Sequence, residues 1–322
     1  MKQEQLRKMQ QIISEDGDWS AHNIWLGGNN YTIKDGIVND EYKLKRVISN
    51  IADFAGGDFS GLRILDLACL EGLFGIECAR QGANVTLLDA RPANLRKVEF
   101  TAEVLGLDNI EIVEDDVRAI SREKYGEFDV ILCFGIFYHL DKSDLYPFVQ
   151  RMYEMTRGFV FFDTHITFAR KESFSAGGRT YYGESYLEHR SDASAEEIKS
   201  DLWKSIDNPR SFNMEKTSLL EMLADIGFTS VAESLVPYDP TKNRYRVSLI
   251  AKKGAPVEVI SAPRLSSEKT PGFTRFTLGK AMTEAIAKAK TDMIYKFKIN
   301  SPAFVRNFYK RYIKKGGKYK KV

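Results

Sequence analysis

Cysteine is scarce in this sequence: Cys69, Cys78 and Cys133 are the only three, an odd set without Cys-x-x-Cys spacing. That excludes a disulfide framework and reads as buried free thiols in a reducing compartment. Long apolar runs are lacking too. No stretch of about eighteen apolar residues occurs, so no membrane-spanning helix is expected. Met1 to Gln11 is polar and charged, without the apolar centre of a secretory signal. The expectation is a cytoplasmic protein, soluble or peripheral at the inner membrane face. Acid is missing from one region only: Ser301 to Val322 holds eight Lys or Arg and no Asp or Glu. The overall charge is +3, so the remaining 300 residues stand at −5, a mildly acidic body with a strongly basic end. With 43% hydrophobic and 28% charged residues over 322 positions, the chain can bury a sizeable core, as one domain with additions.

What is present centres on Ile64-Leu-Asp-Leu-Ala-Cys-Leu-Glu-Gly72, followed by Val85-Thr-Leu-Leu-Asp89. The apolar run Leu62 to Leu67 reads as a strand, and Phe74 to Arg80 as a helix stopped by Gly82. A helix N-terminus is thereby aimed at whatever sits above the strand, and its free N–H groups suit a carboxylate or phosphate. Asp89, closing the second strand, is placed to accept hydrogen bonds from a ribose diol. A nucleoside-bearing cofactor follows. An ordinary Rossmann-like unit for NAD is the alternative, but the dinucleotide fingerprint asks for more glycines than stand here.

The hydrophobic-Leu-Asp-Leu-x-Cys-x-x-Gly stretch, Asp89, and Glu114-Asp115-Asp116-Val117 after a third strand resemble class I S-adenosylmethionine-dependent methyltransferases over residues 60 to 252. The resemblance implies an α/β fold, a Rossmann-like seven-stranded sheet with helices on both faces, to which the chain's own pattern adds an inserted lid and a helical C-terminal extension. It implies S-adenosylmethionine as cofactor, cradled by Asp66 to Gly72, with Asp89 on the ribose, Asp116 on the adenine amino group, and Phe134 and Gly135 flanking. One departure is plain. Where the family carries Gly-x-Gly-x-Gly this chain has Ala68, Leu70 and Gly72, and a glycine at the second place normally lets the backbone approach the methionine end.

Along the chain, residues 1 to 15 fit a short amphipathic helix. Trp19 to Thr32, rich in aromatics, Gly and Asn, reads either as a loop folding over a ligand or as a surface hairpin packed by Trp19 and Trp25. Glu41 to Phe54 has helical period and ends at Gly56-Gly57. Pro92 opens a helix that Gly106 closes; Ile110 to Val113 and Phe128 to Cys133 are the next strands. Tyr138-His139-Leu140 resembles the Leu-Tyr-His segment of class I enzymes related to the tRNA uridine carboxymethyltransferases. His139 is thus a candidate general base, or a residue that only bonds the next helix. Asp141 to Met155 is helical, Gly158 to Phe162 a strand, and Asp163, Thr164 and His165 stand at its end. Two histidines with an aspartate invite a metal, but the spacing matches no ligand signature, and none is expected.

The connection from Ile166 to Lys216 is long enough to be functional. It holds Tyr181, Tyr182, Glu184, Tyr186, His189, Trp203, Asn208, Arg210 and Phe212, with a helix expected over 195–206. It reads as a substrate lid suited to sugars, aromatic acceptors or nucleobases, or as a satellite core. Ser218-x-x-Glu221 resembles a capping box for a helix ended by Gly227. Ser230 to Val236 and Arg244 to Ala251 read as a closing antiparallel hairpin, with Arg244 and Arg246 on one solvated side. Gly254 to Gly272 is a linker with three prolines, Leu278 to Lys298 is helix-prone, and Ser301-Pro302 opens a basic amphipathic helix.

The domain reading is an N-terminal cap (1–58), a methyltransferase domain (59–253, lid 166–216) and a basic extension (254–322). The function expected is O-methylation of a small-molecule or sugar hydroxyl, with His139 or His165 as base. His22, Tyr138, Asp163, Tyr182, Tyr186, His189 and Trp203 are the candidate acceptor contacts. Two other readings stand beside it: a tRNA-modifying methyl or carboxymethyl transferase, and a non-catalytic S-adenosylmethionine-binding scaffold. The expected partners are a small-molecule or glycan acceptor and, through 301–322, a membrane surface or protein. Nucleic acid ranks behind these because the body is acidic.

Overall fold

Four strands of this chain are buried at most positions, as strands covered on both faces are, and a fifth, at the sheet edge, alternates Ile with Glu. In the computed structural model they form the parallel part of a seven-stranded sheet. The structure describes residues 1–263, except 38–40, 195–196, 199–200 and 238–243. In sequence order the sheet strands are β3 (Arg63–Leu67), β4 (Asn84–Asp89), β5 (Ile110–Glu114), β6 (Phe128–Phe134), β7 (Thr156–His165), β11 (Ser230–Glu233) and β12 (Arg246–Lys252). Their spatial order is β11-β12-β7-β6-β3-β4-β5, with β12 alone reversed, antiparallel to both its neighbours, β7 and β11. The order reverses between β3 and β6, whose carboxyl ends therefore open a crevice.

Alternation along β3 sorts the two faces. Leu65 and Leu67 enter a core with Phe148, Met152 and Met222, from α6 (Lys142–Met155) and α7 (Lys216–Ile226). Ile64 enters the other, with Ile51, Ile76 and Val98 from α2 (Glu41–Ala55), α3 (Leu73–Arg80) and α4 (Pro92–Leu105). Pro92 sits in the first turn of α4 and Gly106 ends it at φ 66°. A four-residue helix, α5 (Arg122–Tyr125), precedes β6.

The N-terminal segment is α1 (Gln3–Asp16) and a hairpin of β1 (Trp25–Gly27) and β2 (Asn30–Tyr31). Trp19 is buried against Phe100 of α4, their ring centroids 5.7 Å apart, whereas Trp25 is half exposed. Of the two tryptophans, only Trp19 packs into a core.

The structure gives the connection 166–216 its form and corrects three other expectations. The connection 166–216 is largely a second sheet of β8 (Glu172–Ala176), β9 (Arg179–Leu187) and β10 (Arg210–Met214), ordered β10-β9-β8 and antiparallel. Its Tyr181, Phe212 and Met214 join the main core, as the satellite-core reading has it, while 202–208 line the cavity described below. The helix expected over 195–206 does not run that far: helical hydrogen bonds join Ser194 to Ile198 and Glu197 to Asp201, and 202–204 turn away. The cap of α7 is Glu215, whose carboxylate accepts the Ser218 N–H at 2.9 Å. Ser218 itself is buried and accepts the Tyr182 N–H at 3.0 Å. Finally, Asp163, Thr164 and His165 continue β7 instead of following it, paired with Ser248, Val247 and Arg246 of β12.

The chain divides into two units between Ala255 and Pro256, and the second is described only from 256 to 263. The helices expected over 278–298 and from Ser301 lie outside the described residues. Among the described residues, no helix is long and apolar enough to cross a membrane.

Candidate active site

The turn after β3 shows how this chain manages without two of the usual glycines. Ala68 and Leu70 both adopt left-handed backbone, at φ 51° and 52°. Each such residue costs on the order of 1–3 kcal/mol unless its surroundings impose it. Here they do: the Leu70 N–H donates to Asp89 Oδ2 at 2.9 Å, and the Cys69 N–H to the Leu88 carbonyl at 3.0 Å. Gly72 is indispensable for another reason. At φ 84°, a Cβ there would stand 3.0 Å from both Ile76 Cδ1 and Val98 Cγ2. It lies beneath the loop and is not among the residues lining the cavity.

That cavity, about 220 Å³, opens above the carboxyl ends of β3, β4 and β6. Asp66, Ala68, Leu70, Asp89, Asp116, Phe134 and Gly135 all line it. Asp66 is almost fully buried and accepts the Gly75 N–H at 2.9 Å. Burial, helped by the charge of Asp89 and opposed by the Gly75 bond, raises its pKa to about 7. Asp89 is raised as well, by burial, against the bonds from Arg91 N–H, Leu70 N–H and Asn94 Nδ2. Asp116 caps the turn Val117–Ala119 through the Arg118 N–H at 2.7 Å. Burial acts to raise Asp116, but the Arg118 guanidinium outweighs it and holds the group low. Phe134 meets Phe74 and Phe161 edge-on, with centroids 4.9 and 5.2 Å away.

Two arginines carry the opposite wall. Arg91 Nη2 donates to the carbonyls of Asp201 and Lys204, each at 3.0 Å, and Arg118 joins Asp116 to Asp207 at 2.7 Å. The segment 201–208, including Trp203, is thereby held across the cavity. From the N-terminal segment His22 also lines the cavity, its Nδ1 accepting the Leu73 N–H at 3.1 Å and its ring edge-on to Phe74. Glu71 holds that segment in place: the fully buried carboxylate accepts the backbone N–H groups of Ser20, Ala21 and His22 at 2.8, 3.1 and 2.8 Å. It also pairs with buried Lys97 at 3.2 Å.

At the far end, His139 sits on the short turn Phe137–His139 after β6. Its Nδ1 is 2.7 Å from Glu188 Oε1, which also accepts the Tyr186 hydroxyl at 2.6 Å. Burial would raise Glu188, but the His139 ring and Tyr186 bring its pKa to about 2. An ionised carboxylate only accepts, so Nδ1 carries the proton and Nε2 of the neutral ring is left unprotonated. Tyr138 lies between the two histidines, its ring centroid 4.2 Å from His139 and 4.6 Å from His165. His165 is shifted down by burial and then by the Arg246 charge, and its Nε2 lies 3.4 Å from Arg246 Nη1.

Asp163 is buried and takes Ser248 Oγ at 2.6 Å, Lys43 Nζ at 3.5 Å, and Arg246. These cations overcome burial and hold it far below the usual carboxylate range. It does not line the cavity itself but bonds two residues that do, Arg246 through its carboxylate and Gly135, whose N–H donates to the Asp163 carbonyl at 3.0 Å. The solvated reading of Arg246 is therefore wrong: β12 pairs with β7 and turns that side chain inward. Two candidates stand elsewhere. Tyr182 packs under the Arg170 guanidinium at 5.0 Å, and buried His189 holds the Ser205 carbonyl at 2.8 Å through Nε2. The sequence reading missed Arg91, Arg118 and Glu188, and it gave no partners to Glu71 and Arg246; each of the five bonds a residue distant in the chain. The cysteines are buried and free, and no group of three His, Cys, Asp or Glu among the described residues is arranged for a metal.

The family model described as Methyltransferase domain matches residues 64–158, the stretch that supplies Asp66, Asp89, Asp116, Phe134 and His139. The matched stretch is a methyltransferase domain. The ubiquinone biosynthesis O-methyltransferase of Rickettsia prowazekii is 30% identical to the chain over 122 residues, 37% of this chain and 45% of that protein. The Acinetobacter baylyi protein of the same name is 29% identical over 116 residues, covering 36% and 48%. The chain thus spans just under half the length of these relatives. The methyltransferase fold is shared with the N-terminal domain of EvdMO1, crystallised in the presence of SAH and D-fucose. That likeness has a TM-score of 0.60 at 20% identity, over 77% of this chain and 97% of that one.

Proposed function

We propose that this methyltransferase domain methylates a hydroxyl oxygen of a small molecule or sugar, with His139 as general base. The observation that carries the reading is the Glu188–His139 pair at 2.7 Å, on the rim of the cavity that Asp89 and Asp116 enter. The residues present fit S-adenosylmethionine. Acids close β4 and β5 at the places for ribose and adenine, the left-handed turn at Ala68 and Leu70 keeps the loop open, and Phe134 and Gly135 wall the cavity.

When bound, S-adenosylmethionine supplies a methyl group on a positively charged sulfur, which leaves as a neutral thioether once the methyl carbon has bonded to oxygen. Asp89 and Asp116 would hold the nucleoside, so that donor and acceptor meet in line, which supplies much of the rate. His139 Nε2 takes the proton that the hydroxyl gives up, and Glu188 stabilises the resulting imidazolium. His165 suits this task less, because Arg246 lies beside its Nε2 and disfavours protonation. The names of the similar proteins lend support, an O-methyltransferase in one case and a domain crystallised in the presence of SAH and D-fucose in the other.

The test is calorimetry with S-adenosylmethionine and SAH, followed by SAH release on sugars, phenols and unmodified tRNA. Turnover on a hydroxyl compound that His139→Ala abolishes supports the reading. Turnover on tRNA alone, or cofactor binding without turnover on any acceptor, sinks it. For the basic segment 301–322 we propose contact with an anionic membrane surface or a protein, tested by liposome sedimentation with and without it.

A further inference from the structure

Where Tyr138, His139, Trp203 and Lys204 leave the cofactor cavity they line a second, more open one, which continues over Tyr186, Leu187 and Asn213. Its floor comes from β9 and β10. Strand alternation sends Phe212 and Met214 of β10 into the core and Ser211 and Asn213 to the other side, where Ser211 Oγ donates to the His139 carbonyl at 2.8 Å.

Three features of this annex describe its occupant. First, Asn213 Oδ1 is buried without a hydrogen-bond partner among the described residues. Such an atom costs about 1–3 kcal/mol until a donor answers it. Second, Trp203 and Leu187 are 56% and 67% exposed, large apolar surfaces at the opening. Third, the charges nearby are already answered. Lys204 pairs with Asp201 at 3.1 Å, Arg246 with Asp163, and Glu188 with His139. Nothing there calls for an ionic ligand.

We propose that the annex is the acceptor subsite, and that it takes a neutral ring carrying at least two hydroxyls. One hydroxyl donates to His139 Nε2 and is methylated, a second satisfies Asn213, and the apolar face of the ring lies on Trp203. The proposal rests on the methyl-transfer reading of His139. A sugar and a catechol both supply this chemistry, and the experiment separates them.

Full-length protein saturated with SAH is titrated with methyl pyranosides, catechol, and the analogue of each that lacks one hydroxyl, with binding followed by saturation-transfer NMR. The expected result is binding of at least one diol, weakened about tenfold by removing the second hydroxyl. Asn213→Ala is expected to abolish that discrimination without changing SAH affinity, and Trp203→Ala to weaken diol and analogue alike. Which diol binds identifies the source. No diol bound by the saturated protein, or unchanged binding in both variants, overturns the proposal. Failure of SAH itself to bind, read separately by calorimetry, counts against the methyl-transfer reading instead.

Discussion

The two ends of the cavity are built by different rules. At the nucleoside end Asp89 is bonded by Arg91 and Asn94, two and five residues on, and Asp116 by Arg118, two residues on. At the other end His139 meets Glu188 across 49 positions, and Asp163 meets Arg246 across 83. The first end is built on turns with local bonds, tied together by the Leu70 N–H on Asp89 across 19 positions. The second exists only after β9 and β12 have docked.

That contrast should show in variants. The largest effect is expected from His139→Ala, which should lower kcat by about 10²–10⁴-fold, the usual worth of a positioned base, while SAH affinity stays unchanged. Equal loss of SAH binding would show that the two ends are not separable. Glu71→Ala should cost about 3–5 kcal/mol in urea unfolding, because it leaves Lys97 buried and uncompensated. Asp89→Ala should weaken SAH binding by about ten- to a hundredfold in calorimetry, through the ribose and through loss of the Leu70 bond that holds the loop.

A smaller effect concerns pH. The folded chain holds the Asp66 proton up to about pH 7 against the ordinary 3.8, so its contribution to stability is full below 3.8 and is lost as pH rises through about 7. Melting temperatures of cofactor-free protein should therefore fall less steeply across that window in Asp66→Asn than in the parent. Identical slopes would remove Asp66 from the account. The smallest change is expected from Leu70→Gly, within about 1 kcal/mol, since relief of left-handed strain is offset by the freedom glycine gains when unfolded.

How much of this was legible follows the same divide. The strand-turn-helix units, the helix between Pro92 and Gly106, and the acids after β4 and β5 all announce themselves through periodicity and punctuation that act over a few residues. The left-handed turn at Ala68 and Leu70 was half visible: the motif was evident, but not that Asp89 would hold it without glycine. The insertion misled, because its aromatics could serve a ligand or a core equally. Tyr181 and Phe212 went to the core, Tyr182 to Arg170 and His189 to a backbone carbonyl. Arg246 misled for a related reason. Alternation on a strand names two faces but not which of them another strand will turn toward the site. Glu215 displaced Ser218 as a cap because tertiary packing drew Ser218 toward Tyr182.

The Glu71 carboxylate has a consequence for modularity. It joins the region that resembles other methyltransferases to a segment that precedes it, through three successive backbone donors, while Lys97 reaches back to the Asp18 carbonyl at 2.7 Å. A boundary drawn by similarity near residue 59 would cut through this knot. A transplanted piece beginning there would expose a carboxylate and an ammonium that the parent protein keeps dry. The first thirty residues are thus part of the cofactor loop's foundation, and exchanging them for those of a relative means exchanging Glu71 and Lys97 with them.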